Sequence, residues 1–249
     1  MLINPYRFGG GAPPGGGFGL ASRSFTSGDY IDMGDILDTD VWVGTTSWSI
    51  AMWVKPSSIA AEPIIFSKLD SAGNQRQFYV RVLSTGAISG IVYNITGLSG
   101  YRSAKSTATT VADSTWHHVV FKCDQSLTDQ LDIWDFSIDG TQSNATTWLA
   151  STGTFDGMGD KGSNVQASGV NNNTVAPFLG NMADIRIYDK ILSDAEVTNL
   201  HAGTDVSSGL VGWWITNVDD GVTTLPDYST NSNDATNNGT TYSTDGPLD

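Results

Sequence analysis

Alternation of apolar and polar residues, repeated along most of the chain, is the feature that most restricts its fold. Within SWSIAMWVKP (47–56), the larger apolar side chains occupy every second position, at Trp48, Ile50, Met52 and Val54. Successive side chains of a β-strand point to opposite faces of a sheet, so this spacing predicts a strand with one face in a core.

Further strand patterns follow, separated by turn residues. QFYVRVLSTGAISGIVYN (77–94) fits a hairpin that bends at Gly86. LDIWDFSIDGTQSN (131–144) fits a second hairpin, because Asp139-Gly140 is a favoured turn dipeptide. These segments predict antiparallel pairs of neighbouring strands.

One segment has the pattern of a helix. Ser193 is followed three positions later by Glu196, and this spacing is typical of a capping box. Val197 and Leu200 supply a short apolar face. The sequence therefore predicts an antiparallel two-sheet sandwich over about 20–190, with one short helix at 193–201.

Composition narrows the possible function classes. The 249 residues carry a formal net charge of −14, and all but two of the 26 acidic residues are Asp. This charge opposes binding to the phosphates of nucleic acid, so no nucleic-acid partner is expected. No apolar run reaches the roughly 18–20 residues that span a bilayer, and residues 1–20 lack the pattern of a signal peptide. We expect no membrane insertion and folding in a cytoplasm.

The stretch STWHHVVFKCD (114–124) holds two of the three histidines and the only cysteine. His117 and His118 are adjacent, so on a strand they point to opposite faces and do not chelate one ion together. His117 and Cys123 share a face but lie about 20 Å apart along an extended strand, too far for a catalytic pair. The pattern predicts a sheet interior, with Trp116 and one of the two imidazoles buried.

Several segments together resemble one family. They are SFTSGDYIDMGD (24–35), SWSIAMWVKP (47–56), STWHHVVFKCD (114–124), NMADIRIYDKILSDAEVTNLH (181–201) and LVGWWITNVDDGVTTLPDYSTNSNDATNNG (210–239). They resemble the laminin G-like, concanavalin A-like lectin/glucanase domains, including those of tailed-bacteriophage virion proteins. The resemblance implies an all-β, concanavalin A-like jelly-roll sandwich of two antiparallel sheets, with one short helix near the C-terminal part.

The resemblance also suggests how the chain is divided. Residues 1–19 would form a Gly-rich arm, 20–203 the sandwich, and 204–249 a C-terminal extension packed on it. The extension resembles a unit that often precedes the domain in the family, whereas here it follows. Either it supplies the first strand of the sandwich, or it forms a second partial unit beside it.

A structural calcium ion is a further implication of the resemblance. The carboxylate that matches the family position is Asp184, and Asp29 or Asp32 would be its partner near the first strand. Calcium needs six to eight oxygen ligands in general, so backbone carbonyls and water would supply the others. Solvated aspartates are the alternative interpretation of these residues.

Catalysis is not expected. Glucanases of this fold class use two Glu residues close together on one strand, with carboxyl groups roughly 5 Å apart. This chain contains only Glu62 and Glu196, and the second belongs to the helix cap. The sequence therefore predicts no enzyme, and an Asp-based glycosidase is kept as a minor alternative.

Glycan binding is the chemistry that the remaining residues favour. Sugar sites combine aromatic platforms with amide or carboxylate side chains. The candidate residues are Tyr101, Trp148, Asn171, Asn172 and Asn173. Loop packing is the alternative role for each of them.

The N-terminal arm, FGGGAPPGGGFG (8–19), favours attachment to other proteins. A segment of this composition buries too little surface to offset its chain entropy, so it needs a neighbour to become ordered. We predict that Tyr6, Phe8 and Phe18 anchor it on other virion proteins or on copies of the same chain. The hypothesis is a non-enzymatic virion protein that displays a lectin-like sandwich or reaches a host-surface glycan. The alternative is a free carbohydrate-binding or adhesion module.

Overall fold

A computed structural model describes residues 21–36, 41, 46–70, 75–94, 100–127, 129–149, 152–170, 174–214 and 221–247. Within these ranges the chain forms two antiparallel sheets and two short helices. The all-β sandwich predicted from the alternation is therefore confirmed. None of the helices in this part of the chain has the length and apolar character needed to cross a membrane.

The elements are numbered in chain order. They are β1 (Ser22–Phe25), β2 (Tyr30–Gly34), β3 (Ser47–Pro56), β4 (Ile64–Asp70), β5 (Gln75–Val82), β6 (Ile88–Tyr93), β7 (Tyr101–Ser106), β8 (His117–Asp124), α1 (Gln130–Ile133), β9 (Trp134–Ile138), β10 (Thr141–Ser143), β11 (Ala145–Thr147), β12 (Val165–Ala167), β13 (Gly180–Tyr188), α2 (Asp194–His201), β14 (Leu210–Trp214), β15 (Thr224–Leu225), β16 (Ala235–Asn238) and β17 (Thr241–Ser243).

The two sheets have simple strand orders. One sheet has eight strands, in the order β10-β9-β8-β3-β13-β1-β17, with β14 also paired to β13. The other has nine strands, in the order β11-β7-β6-β5-β4-β12-β2-β16-β15. The C-terminal strands enter both sheets, because β14 pairs with β13, β16 with β2 and β17 with β1.

The core lies between the sheets and follows the predicted alternation. On β3, one face is fully buried and consists of Trp48, Ile50, Met52 and Val54. These side chains meet the inward side chains of the nine-stranded sheet, as in the contact of Trp48 with Phe78, whose ring centroids lie 5.0 Å apart. Burial of this apolar surface is the main source of stability in such a sandwich.

Helix α2 covers the outer face of the eight-stranded sheet. The capping box at Ser193 and Glu196 is present as predicted, with each side chain bonded to the other's backbone N–H. Val197 and Leu200 pack with Ala51 of β3 in a second buried cluster. This cover leaves the outer face of the nine-stranded sheet as the more open of the two surfaces.

The predicted strand at 131–144 begins later than expected. Asp129 accepts a hydrogen bond from the N–H of Leu131 and starts the short helix α1, so the strand starts at Trp134. The turn at Asp139-Gly140 is confirmed, and both residues have positive φ angles of 52° and 74°. Asp and Gly adopt this region more readily than other residues, which explains their place in the turn.

Candidate functional site

Strand β5 brings two large polar side chains to the open surface of the nine-stranded sheet. Phe78, Val80 and Val82 are fully buried in the core, whereas Tyr79 and Arg81 are only half-buried and point to the other side. The pairing of β4 with β5 shifts register on both sides of Tyr79. Such irregularities redirect side chains locally, and they turn further residues of these strands to the same surface.

Strands β6 and β7 add two more aromatic rings. Tyr79 pairs with Ile91 on β6, and Tyr93 lies two positions further on the same face. Tyr93 in turn pairs with Tyr101 on β7. Trp148 follows directly after β11, which pairs with β7. We call the surface formed by Tyr79, Tyr93, Tyr101 and Trp148 the aromatic face.

The four rings of the aromatic face touch in sequence. Ring centroids lie 6.4 Å apart between Trp148 and Tyr79, 6.5 Å between Tyr79 and Tyr93, and 6.2 Å between Tyr93 and Tyr101. Each ring is partly exposed. Contacts at these separations hold aromatic side chains in defined orientations and leave part of each ring available to a ligand.

An apolar layer supports these rings. Ile64, Leu69 and Val170 form a buried cluster against which Tyr79 and Tyr93 pack. Burial raises the pKa of the Tyr93 hydroxyl above its usual value, and it does the same for Tyr79 even though Arg81 acts in the opposite direction. Both phenols are neutral near pH 7, and their hydroxyl groups form a hydrogen bond with each other.

Two arginines lie over the rings. The guanidinium of Arg81 is 4.1 Å from the centroid of Trp148 and 6.0 Å from that of Tyr79. The guanidinium of Arg76 is 5.9 Å from the centroid of Tyr93. Arg81 also forms an ion pair with Glu62 at 3.3 Å. These contacts fix the cations at the edge of the aromatic face.

A polar pocket adjoins the aromatic face. Its volume is about 310 Å³, and it is lined by Leu69, Asp70, Gln75, Gly162, Ser163, Asn164 and Gln166. Leu69 belongs to both the pocket and the supporting apolar layer, so the two features are continuous. Amide and carboxylate groups beside aromatic rings can bind the hydroxyl groups of a ligand while the rings bind its apolar faces.

The predicted glycan-binding residues map to this surface where they are described. Tyr101 and Trp148 are both members of the aromatic face. Asn171, Asn172 and Asn173 lie outside the described residues. The sequence analysis does not identify Tyr79, Tyr93, Arg76 or Arg81, although Tyr79 and Arg81 alternate with apolar residues in QFYVRV and Tyr93 ends GIVY.

The three predicted calcium ligands lie in different sheets. Asp184 belongs to β13 in the eight-stranded sheet, and its Oδ1 accepts hydrogen bonds from Arg186 Nε at 2.8 Å and Trp213 Nε1 at 2.7 Å. Asp32 lies on β2 in the nine-stranded sheet, and Asp29 precedes that strand.

The side chains of Asp29 and Asp32 have protein partners of their own. Asp29 Oδ2 accepts hydrogen bonds from the N–H and hydroxyl of Thr26, and Asp32 accepts from the backbone N–H of Gly34 and the amide of Asn164. In the part of the chain that the structure describes, no three His, Cys, Asp or Glu side chains group as metal ligands. Calcium binding at Asp184, Asp29 or Asp32 stays a prediction.

The adjacent histidines lie on opposite faces of β8, as predicted. His117 pairs with Val54 and contacts Asp139 through Nδ1 at 2.8 Å. His118 lies beside Trp53, with ring centroids 5.1 Å apart. Both imidazoles are buried, and burial raises the pKa of the Cys123 thiol.

Trp116 differs from its prediction. It is only half-buried rather than buried, because it precedes β8 at the edge of the sheet. Its indole Nε1 donates a hydrogen bond to Asp245 at 2.9 Å.

Comparisons with known proteins agree with the fold. A sequence profile described as Concanavalin A-like lectin/glucanases superfamily matches residues 25–198. A structure from Bacteroides ovatus, provisionally assigned as a carbohydrate binding protein, superposes with a TM-score of 0.62 at 13% identity, over 91% of this chain and 60% of that one. The chain thus spans 60% of the length of that protein.

A second solved structure is the IT-sialidase CBM40 of Ruminococcus gnavus bound to α2,3-sialyllactose. It superposes with a TM-score of 0.50 at 18% identity, over 74% of this chain and 100% of that module. At these identities the likeness concerns the fold. No curated protein sequence matches the chain significantly.

Proposed function

The chain belongs to the concanavalin A-like lectin/glucanases superfamily, and on that basis we propose that it is a carbohydrate-binding module whose ligand lies on the aromatic face. The observation that carries this proposal is the joining of four partly exposed aromatic rings to a polar pocket on one open sheet surface. The related structures described above, a carbohydrate binding protein and a sialyllactose-bound module, support the same class of ligand.

Sugar chemistry fits this surface. The C–H face of a pyranose ring packs on an aromatic ring, and its hydroxyl groups bind amides and carboxylates. Trp148 and Tyr79 offer two rings whose centroids lie 6.4 Å apart. In the adjoining pocket Gln75 offers an amide group, and Asn164 offers its amide oxygen while its nitrogen donates to Asp32. An oligosaccharide bound along this surface would contact both the aromatic rings and the polar pocket.

We propose a non-catalytic role for this module. Glu62 is engaged by Arg81 beside the aromatic face, and Glu196 by Ser193 and Lys190 at helix α2, which covers the other sheet. The two Glu carboxylates therefore lie on different sides of the sandwich. Retaining glycosidases instead hold two carboxyl groups roughly 5 Å apart.

Replacing Trp148 by alanine tests the proposal. The wild-type chain is first screened on an array of neutral and acidic oligosaccharides, and affinities of the bound members are measured by calorimetry. We expect Trp148→Ala to weaken binding by about 10- to 100-fold, because loss of one aromatic contact at a binding hot spot costs about 1–3 kcal/mol.

The matched control is Trp116→Ala. Trp116 is also half-buried but adjoins the eight-stranded sheet. This variant should bind as the wild type does, and thermal unfolding confirms that both variants are folded. Equal affinities for wild type and Trp148→Ala, or no binding by the wild type to any array member, would reject the proposed function.

A role on a virus particle is a second, separate proposal. It rests on the Gly-rich sequence of residues 1–19, which lie outside the described residues, as do the predicted anchors Tyr6, Phe8 and Phe18. In this proposal the arm binds other virion proteins or copies of the chain, and the sandwich faces a host glycan. Deletion of 1–19 should leave glycan binding intact and abolish incorporation into the particle. Normal incorporation of the truncated chain would favour the free adhesion module.

A further inference from the structure

Positive charge is concentrated at the aromatic face of a strongly acidic chain. The protein has 12 Lys and Arg residues against 26 Asp and Glu. Three of these cations, Arg76, Arg81 and Lys105, belong to β5 and β7, the strands that also carry two of the four aromatic rings. A local excess of cations on an anionic protein indicates a ligand of negative charge.

Strand register places two of these cations around one serine. Arg81 pairs with Ser89 on β6, and Ser89 pairs with Lys105 on β7. These three residues therefore form a row across neighbouring strands, on the same face of the sheet as Tyr79. Arg81 and Lys105 are separated by about 10 Å at the backbone, since adjacent strands lie about 4.8 Å apart. At this separation the long side chains of Arg81 and Lys105 can both reach one ligand group that lies between them.

The acidic partners on this surface are few. Glu62 pairs with Arg81. Among the described residues, no carboxylate forms an ion pair with Arg76 or Lys105. Within the described ranges, this row carries two positive charges and forms an ion pair with one carboxylate, Glu62, while Asp70 lines the adjoining pocket.

Three donors on these side chains also have no acceptor in the described part of the chain. They are Nε of Arg76, Nε of Arg81 and the hydroxyl of Ser89, all of which are buried. A buried donor without an acceptor costs free energy, and a ligand or water that supplies the acceptor recovers it. Of these donors, the Ser89 hydroxyl lies between Arg81 and Lys105, a position that fits an acceptor-rich anionic group.

We propose that the aromatic face selects glycans that carry a carboxylate, such as uronic acids, and that Arg81 and Lys105 bind this carboxylate while the sugar ring packs on the neighbouring aromatic rings. This inference rests on the proposed function and names its ligand class. Arginine binds carboxylates through two parallel hydrogen bonds, and such charge-assisted bonds are about twice as strong as neutral ones. A neutral sugar would leave the charge of Lys105 without a carboxylate among the described residues, whereas Arg81 already pairs with Glu62.

The experiment uses glycans that differ in the acidic group. One pair is a β-1,4-linked glucuronic acid trimer and cellotriose, which differ only by a carboxylate or a hydroxymethyl group on each ring. A second pair is 3′-sialyllactose and lactose. Calorimetry at low ionic strength should show binding of the acidic member at least about tenfold tighter in at least one pair, with the preference decreasing as salt is added.

Variants separate the charge from the aromatic contacts. Arg81→Gln and Lys105→Gln should each reduce the preference for the acidic member to less than about threefold, because each removes one charged donor. The matched control is Lys55→Gln, since Lys55 pairs with Asp245 beside the eight-stranded sheet. This control should keep the wild-type preference. Lys105→Gln is needed because Arg81→Gln also removes the contact between Arg81 and Trp148.

Each outcome has a distinct meaning. Equal binding of acidic and neutral members, or a preference that persists in both glutamine variants, would overturn the inference while leaving glycan binding in place. Binding of the folded wild type to other members of the oligosaccharide array but to none of these four glycans would also overturn it, whereas failure to bind any array member would contradict the proposed function itself.

Discussion

Replacing Asp184 by alanine is expected to destabilise the protein by about 3–5 kcal/mol, because this change leaves the charge of a buried arginine without its nearest carboxylate. Arg186 is only 2% exposed, and its Nε donates to Asp184 at 2.8 Å while its Nη2 donates to Asp205 at 3.0 Å. Its guanidinium also lies 4.2 Å from the ring centroid of Trp213. Burial lowers the pKa of Arg186, but Asp184 and Asp205 raise it further than burial lowers it.

Urea unfolding measures the loss of stability. Two comparisons identify its cause: Asp184→Asn against Asp184→Ala, and calcium against chelator. Asp184 has a φ angle of 51°, a region that Asp and Asn tolerate better than Ala. Asp184→Asn therefore keeps the backbone preference and an acceptor oxygen, and it should lose less stability than Asp184→Ala. Both variants should lose the same amount in calcium and in chelator. A loss confined to calcium-containing buffer would contradict the ion-pair role and support Asp184 as a calcium ligand.

Mild acid is expected to destabilise the wild type through His118. Burial, followed by the electrostatic effects of the neighbouring His201 and Arg186, lowers the pKa of His118 to about 3. The unfolded chain has a histidine pKa of about 6.5, so it binds more protons than the folded chain between these two pH values. Stability therefore falls as the pH falls through this window, by roughly 2–3 kcal/mol for this residue between about pH 7.5 and 4.5.

His118→Phe isolates this contribution. The phenyl ring can occupy the site beside Trp53 without a titrating group, so the variant should lose about 2–3 kcal/mol less than the wild type over the same pH range. His201→Gln is the comparison: it removes the electrostatic contribution of His201, which is smaller than that of burial, and it should therefore keep most of the wild-type pH dependence. Parallel pH dependence of wild type and His118→Phe in urea unfolding would contradict this account, because it would show that the pKa of His118 is the same in the folded and unfolded chains.

Local sequence signals predict much of the sandwich. Alternation in β3 identifies its core face, and Ser193 with Glu196 identifies the start of α2, because both signals depend on neighbours along the chain. Helix α1 was missed because LDIW also reads as the beginning of a strand. The cap at Asp129 and the short length of the helix only became visible in the structure.

The candidate site is harder to predict from the sequence than the sandwich is. On β3 the outer residues Ala51 and Trp53 are buried under α2 and its surroundings, whereas on β5 the outer residues Tyr79 and Arg81 stay partly exposed. The two strand patterns look alike, and only the position of the helix distinguishes them. Likewise, Trp148 reaches Tyr79 across a strand order that brings β11, β7, β6 and β5 side by side.

A crystal structure of the chain bound to its tightest-binding glycan tests the central claim most directly. The aromatic-face account predicts a sugar ring within about 4 Å of the Trp148 or Tyr79 ring, the distance of direct apolar contact, with hydroxyl groups directed to the polar pocket. A glycan bound at the eight-stranded sheet or elsewhere, with the aromatic face still open to solvent, would contradict it.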